Sequence, residues 1–380
     1  MEKYEVIIIG AGASGLMCAL NTNQPTLLIE ASDRVGKKIL ATGNGKCNIS
    51  NNVIDAGCYN TPLVAEYFQK FDQVQTLKYF EQLGIFTYAD EAGRRYPLSN
   101  SANTVLDILL KALSLKSNVR VAVNTMPLGV TKTKDGFMVK TKDQIYFGKQ
   151  LVLATGGNSG TKYLDQLGVK YQKFMPSLMG LKTTKNKGLA GVRVSDVSVR
   201  FNDFYEVGEV LFKDDGISGI VIFNLSAYLA RNQIKTGKIT LDLLSGIERN
   251  QLLAMLQASV RNNPHYILVD ILEGCLHKSL ARNLLERLAL DKKLAQDCTA
   301  HDIANVVNLI KAYVVEFTGY ADNNQVHTGG VDLRSLDENL QHKQVRGLYC
   351  IGEVVNVDGV CGGYNLQWAW TSGKIVGGNF

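Results

Sequence analysis

YEVIIIGAGASGLMCALNTNQPTLLIE, residues 4–30, reads as a strand, a Gly10-x-Gly12-x-x-Gly15 turn, a helix and a second strand that ends on an acid. Each part has a purpose at a dinucleotide. Gly10 permits a tight turn, Gly12 lets backbone approach a pyrophosphate, and Gly15 lets helix and strand pack closely. The helix N-terminus presents free N–H groups and partial positive charge to the phosphates. Glu30, twenty residues after Gly10, can accept hydrogen bonds from both ribose hydroxyls. Its charge opposes a 2′-phosphate, so the site favours FAD or NAD over NADP. The glycine pattern alone is weak; the two flanking strands and the acid at this distance carry the reading.

At 380 residues the chain is longer than one core usually supports, which predicts two or three domains. An apolar share of 46% with 20% charged residues describes an ordinary soluble globular protein. The net charge of +6 would suit an anionic ligand, but the lysines and arginines are scattered and form no basic run interleaved with aromatics. That argues against a nucleic-acid partner. Glu2 and Glu5 spoil the basic start a signal peptide needs, and no apolar run is long enough to span a membrane. Cys18, Cys47, Cys58, Cys275, Cys298, Cys350 and Cys361 include no C-x-x-C pair and no metal-type cluster. A reducing cytoplasm fits, and a disulfide relay has no support. The histidines at 265, 277, 301, 327 and 342 show no ligand spacing, so no metal site is expected.

Nucleotide-type signals occupy Tyr4 to about Gly157 and again about Gly329 to Phe380, so the middle reads as an insertion. Between Lys182 and Leu244 the pattern alternates, as in VRVSDVSVRF and GEVLFKDDGISGIVIF, predicting antiparallel sheet or barrel. IERNQLLAMLQASV, CLHKSLARNLLERLAL and HDIANVVNLIKAYVVEF then show helical spacing. The expected fold is α/β: a split Rossmann-like domain over 1–184 and 323–380, an inserted β part over 185–246 and an inserted helical part over 247–322. Within the first region a helix is expected around Ala102 to Leu115, followed by strands NVRVAV, GFMVKT and QIYFGKQLVLATGG. The last enters the Ala154-Thr155-Gly156-Gly157 turn, which should lie close to the first phosphate loop, because ligands of doubly wound sheets bind beyond strand C-termini.

Two further segments carry ligand-binding chemistry. Gly36 to Asn48, GKKILATGNGKCN, supplies backbone donors, a hydroxyl, amides and cations suited to enclosing a pyrophosphate and a flavin edge. Its Gly45-Lys46 is not a P-loop, since Leu40 stands where the first glycine belongs and Cys47 replaces the Ser or Thr. Near the end, a strand closes on Gly352-Glu353, and VDGVCGGYNL (357–366) leads into helix QWAWTSGKIVG. Glu353 or Asp358 can hold ribityl hydroxyls, and the helix N-terminus after Gly363 can stabilise charge on a reduced flavin. Trp368 and Trp370, two apart on one helix, should not both face the core equally, and one of them is expected at a flavin or domain contact. Cys47 and Cys361 read as small packing groups rather than redox centres.

GAGASGLMCA, GKKILATGNGKCNISN, VLATGG, TGGV and VDGVCGGYNLQWAW together resemble the bacterial BaiN/RdsA-type NAD(P)/FAD-dependent oxidoreductases, some of them aminoacetone oxidase-like. The resemblance spans nearly the whole chain and implies a non-covalent FAD. Carried over residue by residue, it implies contacts from Gly10, Gly12, Ala13, Ser14, Gly15, Glu30, Ala31, Lys38, Thr42, Gly43, Asn44, Gly45, Lys46, Cys47, Asn48, Ala154, Thr155, Gly156, Gly352, Glu353, Asp358, Gly363, Tyr364, Asn365 and Leu366. Met126 is expected at the adenine edge. Lys46 stands where the family usually has arginine, Asn44 interrupts a glycine run, and the segment after Gly157 is shorter than in the family.

The leading expectation is a flavoenzyme that passes a hydride through flavin N5 between a reduced donor and a small organic acceptor or oxygen. No second GxGxxG is present, so NAD(P)H would dock transiently as donor. The alternatives are an RNA-associated flavoprotein, suggested by the positive charge, and a non-catalytic FAD-dependent sensor or scaffold.

Overall fold

Val6, Ile7 and Ile8 are fully buried at the centre of a parallel sheet, as a β-branched run flanked by strands on both sides should be. The computed structural model describes residues 1–184, 186 and 188–380, which form two compact units, Met1–Pro176 with Gln325–Phe380, and Ser177–Asn324. The first unit opens with β1 (Glu2–Ile9), α1 (Ala13–Asn21), β2 (Thr26–Ile29) and β3 (Ser50–Asn51). It continues through α2 (Val64–Phe68), α3 (Gln73–Gln82), β4 (Thr87–Ala89), β5 (Arg94–Pro97) and α4 (Ala102–Ser114). Then come β6 (Val119–Ala122), β7 (Gly129–Lys132), β8 (Phe137–Lys140), β9 (Ile145–Leu153), α5 (Thr161–Gln166) and β10 (Gln172–Ser177).

The second unit holds β11 (Leu181–Thr183), β12 (Arg193–Phe201), β13 (Phe204–Lys213), β14 (Gly216–Ser218), α6 (Ile220–Arg231) and β15 (Gly237–Asp242). It ends with α7 (Arg249–Asn262), α8 (Leu268–Glu273), α9 (Lys278–Arg287), α10 (Ala300–Lys311) and β16 (Tyr313–Tyr320). The chain returns to the first unit for β17 (Val326–Gly330), β18 (Leu348–Cys350) and α11 (Tyr364–Gly378).

β1 pairs in parallel with β2 on one side and β9 on the other, and β6 extends the sheet beyond β2. The end of β9 takes β18 in parallel, while its start pairs antiparallel with β8, which carries β7. The α/β class with a split parallel sheet is therefore observed, completed by a strand from the far end of the chain. α11 crosses α1 at close range: a Cβ added at Gly373 would lie 2.4 Å from the Ser14 carbonyl oxygen, and one at Gly377 would lie 2.4 Å from that of Cys18. Trp368 and Trp370 are both fully buried, contrary to the expected asymmetry. The reason is that α11 is covered on every side; Gln367, Thr371 and Ser372 are buried with them, and each is hydrogen-bonded.

In the second unit β11, β14, β13, β12, β15 and β16 close a barrel. Two sequence assignments need correction. GIVIF does not continue the sheet, because α6 begins at Ile220; Val221, Ile222, Leu225 and Leu229 bury one helical face, and a short apolar run cannot itself distinguish strand from helix. The helix expected through VVEF stops at Lys311. Tyr313, Val315 and Phe317 alternate inward on β16, which pairs with β11 and β15 to shut the barrel.

Candidate functional site

The β1–α1 turn shows why its glycines stand where they do. At Gly10 (φ +102°) a Cβ would lie 2.4 Å from the Ala154 carbonyl oxygen, and at Gly15 it would lie 1.9 Å from that of Gly10. Both are excluded by backbone. At Gly12 an added Cβ would meet nothing within 4 Å, so this backbone faces open space. That space is a cleft of about 540 Å³ within the first unit. Leu16 N–H is bonded to the Gly12 carbonyl, and the first turn of α1 before it directs its N–H groups toward the cleft.

Of the residues expected at the site, Gly10, Gly12, Ala13, Ser14, Glu30, Ala31, Lys38, Thr42, Met126, Ala154, Thr155, Gly156, Glu353, Asn365 and Leu366 line this cleft. Gly15 lies beneath the turn. Gly352 (φ +62°) sits behind it, where a Cβ would strike the Ser14 hydroxyl at 2.5 Å. Cys47 is buried, and burial pushes its thiol up to about 12 despite a hydrogen bond with Thr42. Asp358 is also buried and accepts from Thr328 Oγ1 at 2.9 Å, so of the two acids proposed for the ribityl chain it is Glu353 that lines the cleft. Gly43, Asn44, Gly45, Lys46, Asn48, Gly363 and Tyr364 do not line the cleft. Asn48, with its amide oriented to match donors to acceptors, accepts from the Gly363 N–H at 3.0 Å and so joins the 42–48 loop to the start of α11.

Glu30 ends β2 with its carboxylate spread across the turn: Ala11 N–H donates to Oε2 at 3.0 Å and Ser32 N–H to Oε1 at 2.8 Å. Across the cleft, Glu353 Oε2 takes Lys38 Nζ at 2.7 Å, and its Oε1 takes the His327 backbone N–H at 2.6 Å, with His327 Nδ1 at 3.1 Å. Burial alone would raise this carboxyl, but His327 and Lys38 outweigh it and hold the group at about 2. The Gly157 turn leaves just enough room for the imidazole, since a Cβ there would lie 2.5 Å from His327 Nδ1.

Sequence reasoning did not single out His327, Tyr163, Ser159, Gln325 or Val326; the last four line the cleft. His327 precedes the TGGV segment, but nothing in the spacing pairs it with an acid on a distant turn.

The donor set fits the ADP part of FAD. It comprises a glycine turn open to a phosphate, a helix N-terminus, a carboxylate at the end of β2, and a buried Thr155 hydroxyl that has no partner among the described residues. No described helix is long and apolar enough to cross a membrane.

A family model, the HI0933-like protein Rossmann domain, matches residues 4–379. A 3-dehydro-bile acid delta(4,6)-reductase of Clostridium scindens is 31% identical, covering 97% of each chain. A ribosomal RNA dihydrouridine synthase of Escherichia coli is 28% identical over 98% of this chain and 96% of its own. Among solved structures, the E. coli quinol fumarate reductase FrdA aligns with a TM-score of 0.49 at 13% identity, covering 100% of this chain and 70% of that one.

Proposed function

The chain belongs to the HI0933-like Rossmann family and is an FAD-dependent oxidoreductase, and from that premise we propose that it reduces a carbon–carbon double bond conjugated to a carbonyl. The observation that carries the proposal is shared chemistry. The two named relatives differ in substrate, a 3-dehydro-bile acid and ribosomal RNA, yet their names describe the same bond change: saturation of an alkene polarised by a neighbouring carbonyl. Bound FAD supplies a two-electron hydride for this through N5.

The protein's part is to hold and polarise. The Gly10–Gly15 turn and α1 receive the diphosphate, Glu30 the adenosine ribose, and Glu353 the ribityl chain, with Met126 at the adenine edge. Lys38, which lines the cleft and pairs with Glu353, is the proposed cation for a phosphate. A reduced pyridine nucleotide docking transiently is the proposed donor.

The test begins with the purified protein, which should be yellow and release FAD rather than FMN. Under anaerobic conditions NADH or NADPH should bleach the flavin, and a conjugated enone should restore its colour while the saturated ketone does not. Equal inertness of enone and ketone toward the reduced protein would end this reading. A second reading, an RNA-borne uracil as acceptor, is favoured by the ribosomal RNA relative. It predicts salt-dependent RNA binding.

A further inference from the structure

β3, β5 and β4 form a small sheet in that order, and we propose that one face of it binds the carbonyl oxygen of the acceptor, with the Arg94 guanidinium and the Tyr96 hydroxyl as donors. The assignment rests on the conjugated-acceptor reading. Register places the groups: Asn51 is opposite Arg94, and Tyr88 is opposite Tyr96, so all four side chains share a face. The other face turns inward, since Ser50, opposite Arg95, donates to the buried Gln367 at 2.6 Å.

Two segments border the outward face, and each also reaches the cleft, one through Thr42 and the other through Asn365 and Leu366. A Cβ on Gly43 would lie 3.2 Å from Tyr96 Cε1, which places the ring against the 42–48 loop. Asn51 Nδ2 donates to the Gly362 carbonyl at 3.1 Å, which ties the face to the turn that starts α11.

The donors there are unequally used. Tyr88 spends its hydroxyl on Asn100 Oδ1 at 2.6 Å and packs its ring near Tyr96, with centroids 6.0 Å apart. Asp90 accepts from Arg94 Nε at 2.7 Å and from the Arg94 backbone N–H at 3.0 Å, which fixes the guanidinium plane. Among the described residues, the two terminal nitrogens of Arg94 and the hydroxyl of Tyr96 make no hydrogen bond, and none of these atoms is sealed from solvent. A guanidinium held by Asp90 with both terminal nitrogens left over, and a phenol on the same face, both half-buried, suit an oxygen that gains charge during reaction.

The balance is simple. A hydride forms a C–H bond at the β-carbon, the alkene pair moves to the α-carbon and oxygen as an enolate, and solvent supplies the α-proton. The acceptor is reduced by two electrons. The two electrons would come from bound flavin first reduced by a pyridine nucleotide or another two-electron donor, which the transfer returns to FAD. Arg94 and Tyr96 hold the enolate oxygen.

The test uses the FAD-loaded protein and 4-nitrophenol, an enolate mimic whose absorbance reports its own ionisation. Wild type should bind the probe as the phenolate below the pH at which it ionises in water. Tyr96→Phe and Arg94→Lys should each weaken binding by about tenfold or more and lose the spectral shift. FAD content and melting temperature verify the fold, and Arg94→Gln replaces Arg94→Lys if the latter does not fold. A probe that does not ionise on wild type, or that binds both variants unchanged, overturns the proposal. Reoxidation of the reduced protein by 2-cyclohexenone separates the two readings. Failure with wild type, while probe binding still follows Arg94 and Tyr96, removes the conjugated-acceptor reading and leaves the oxygen site; undiminished rates in both variants remove the site alone.

Discussion

Glu353 places one carboxylate oxygen on His327 and the other on Lys38, so a single side chain joins β17, the loop after β2 and the turn after β18. Its carboxyl is held at about 2 against an ordinary 4.5, so the ionised form's contribution to stability is complete above about pH 4.5 and fades as pH falls toward 2. Urea midpoints measured from pH 6 to pH 2 should therefore decline more steeply for wild type than for Glu353→Gln; parallel curves would show that this carboxylate is not the group responsible. Glu30 was visible in the sequence because its distance from Gly10 is fixed by one βαβ turn. Glu30→Ala should raise the Kd for FAD by about 10- to 150-fold, the loss of roughly 1.5–3 kcal/mol from a charge-assisted contact. An unaltered fluorescence titration would remove Glu30 from the ribose. His327 was illegible by the same standard, since its partner is far along the chain and only the fold brings the two together.

Among the elements, α11 is the one whose start we propose stabilises the reduced flavin and whose body packs the core. Gly363 has φ +99°, and a Cβ there would lie 2.4 Å from the Ser50 carbonyl oxygen, so Gly363→Val displaces the first turn. We expect weaker FAD binding and a lower flavin potential, because the positive end of the helix then stands farther from the charge gained on reduction. Cys361→Ser should be nearly silent. Normal affinity and potential in Gly363→Val, with turnover abolished by Cys361→Ser, would replace the helix-terminus account with a thiol mechanism. The sequence announced this terminus through its glycines. It did not reveal that Asn48 takes the N–H of Gly363 itself, leaving the next amides of the turn to act. Nor did it reveal burial on all sides of α11, because Gln367, Thr371 and Ser372 look like solvent-facing residues until Ser50 and Thr76, the Phe71 carbonyl, and the Gly352 N–H respectively supply their partners.

At the scale of the whole molecule, the insertion expected over 185–322 falls within the unit Ser177–Asn324, and we propose that it behaves as a discrete domain. Limited proteolysis should nick near its two ends first; cleavage concentrated within Tyr4 to Gly157 would count against that. The sequence by itself determined what repeats at short range: the strand–turn–helix–strand of residues 4–30, the helical period of α4, α7, α9 and α10, and the alternation of β12 and β13. These patterns are local, so burial on one face writes them directly into residue order. Only the tertiary structure decided that GIVIF starts a helix, that β16 closes a barrel, and that Glu353, Lys38 and His327 meet. A short apolar run satisfies either period, and its partners decide between them. A contact between distant residues leaves no spacing to read, because loop closure brings them together at a cost that grows only slowly with the length of chain between.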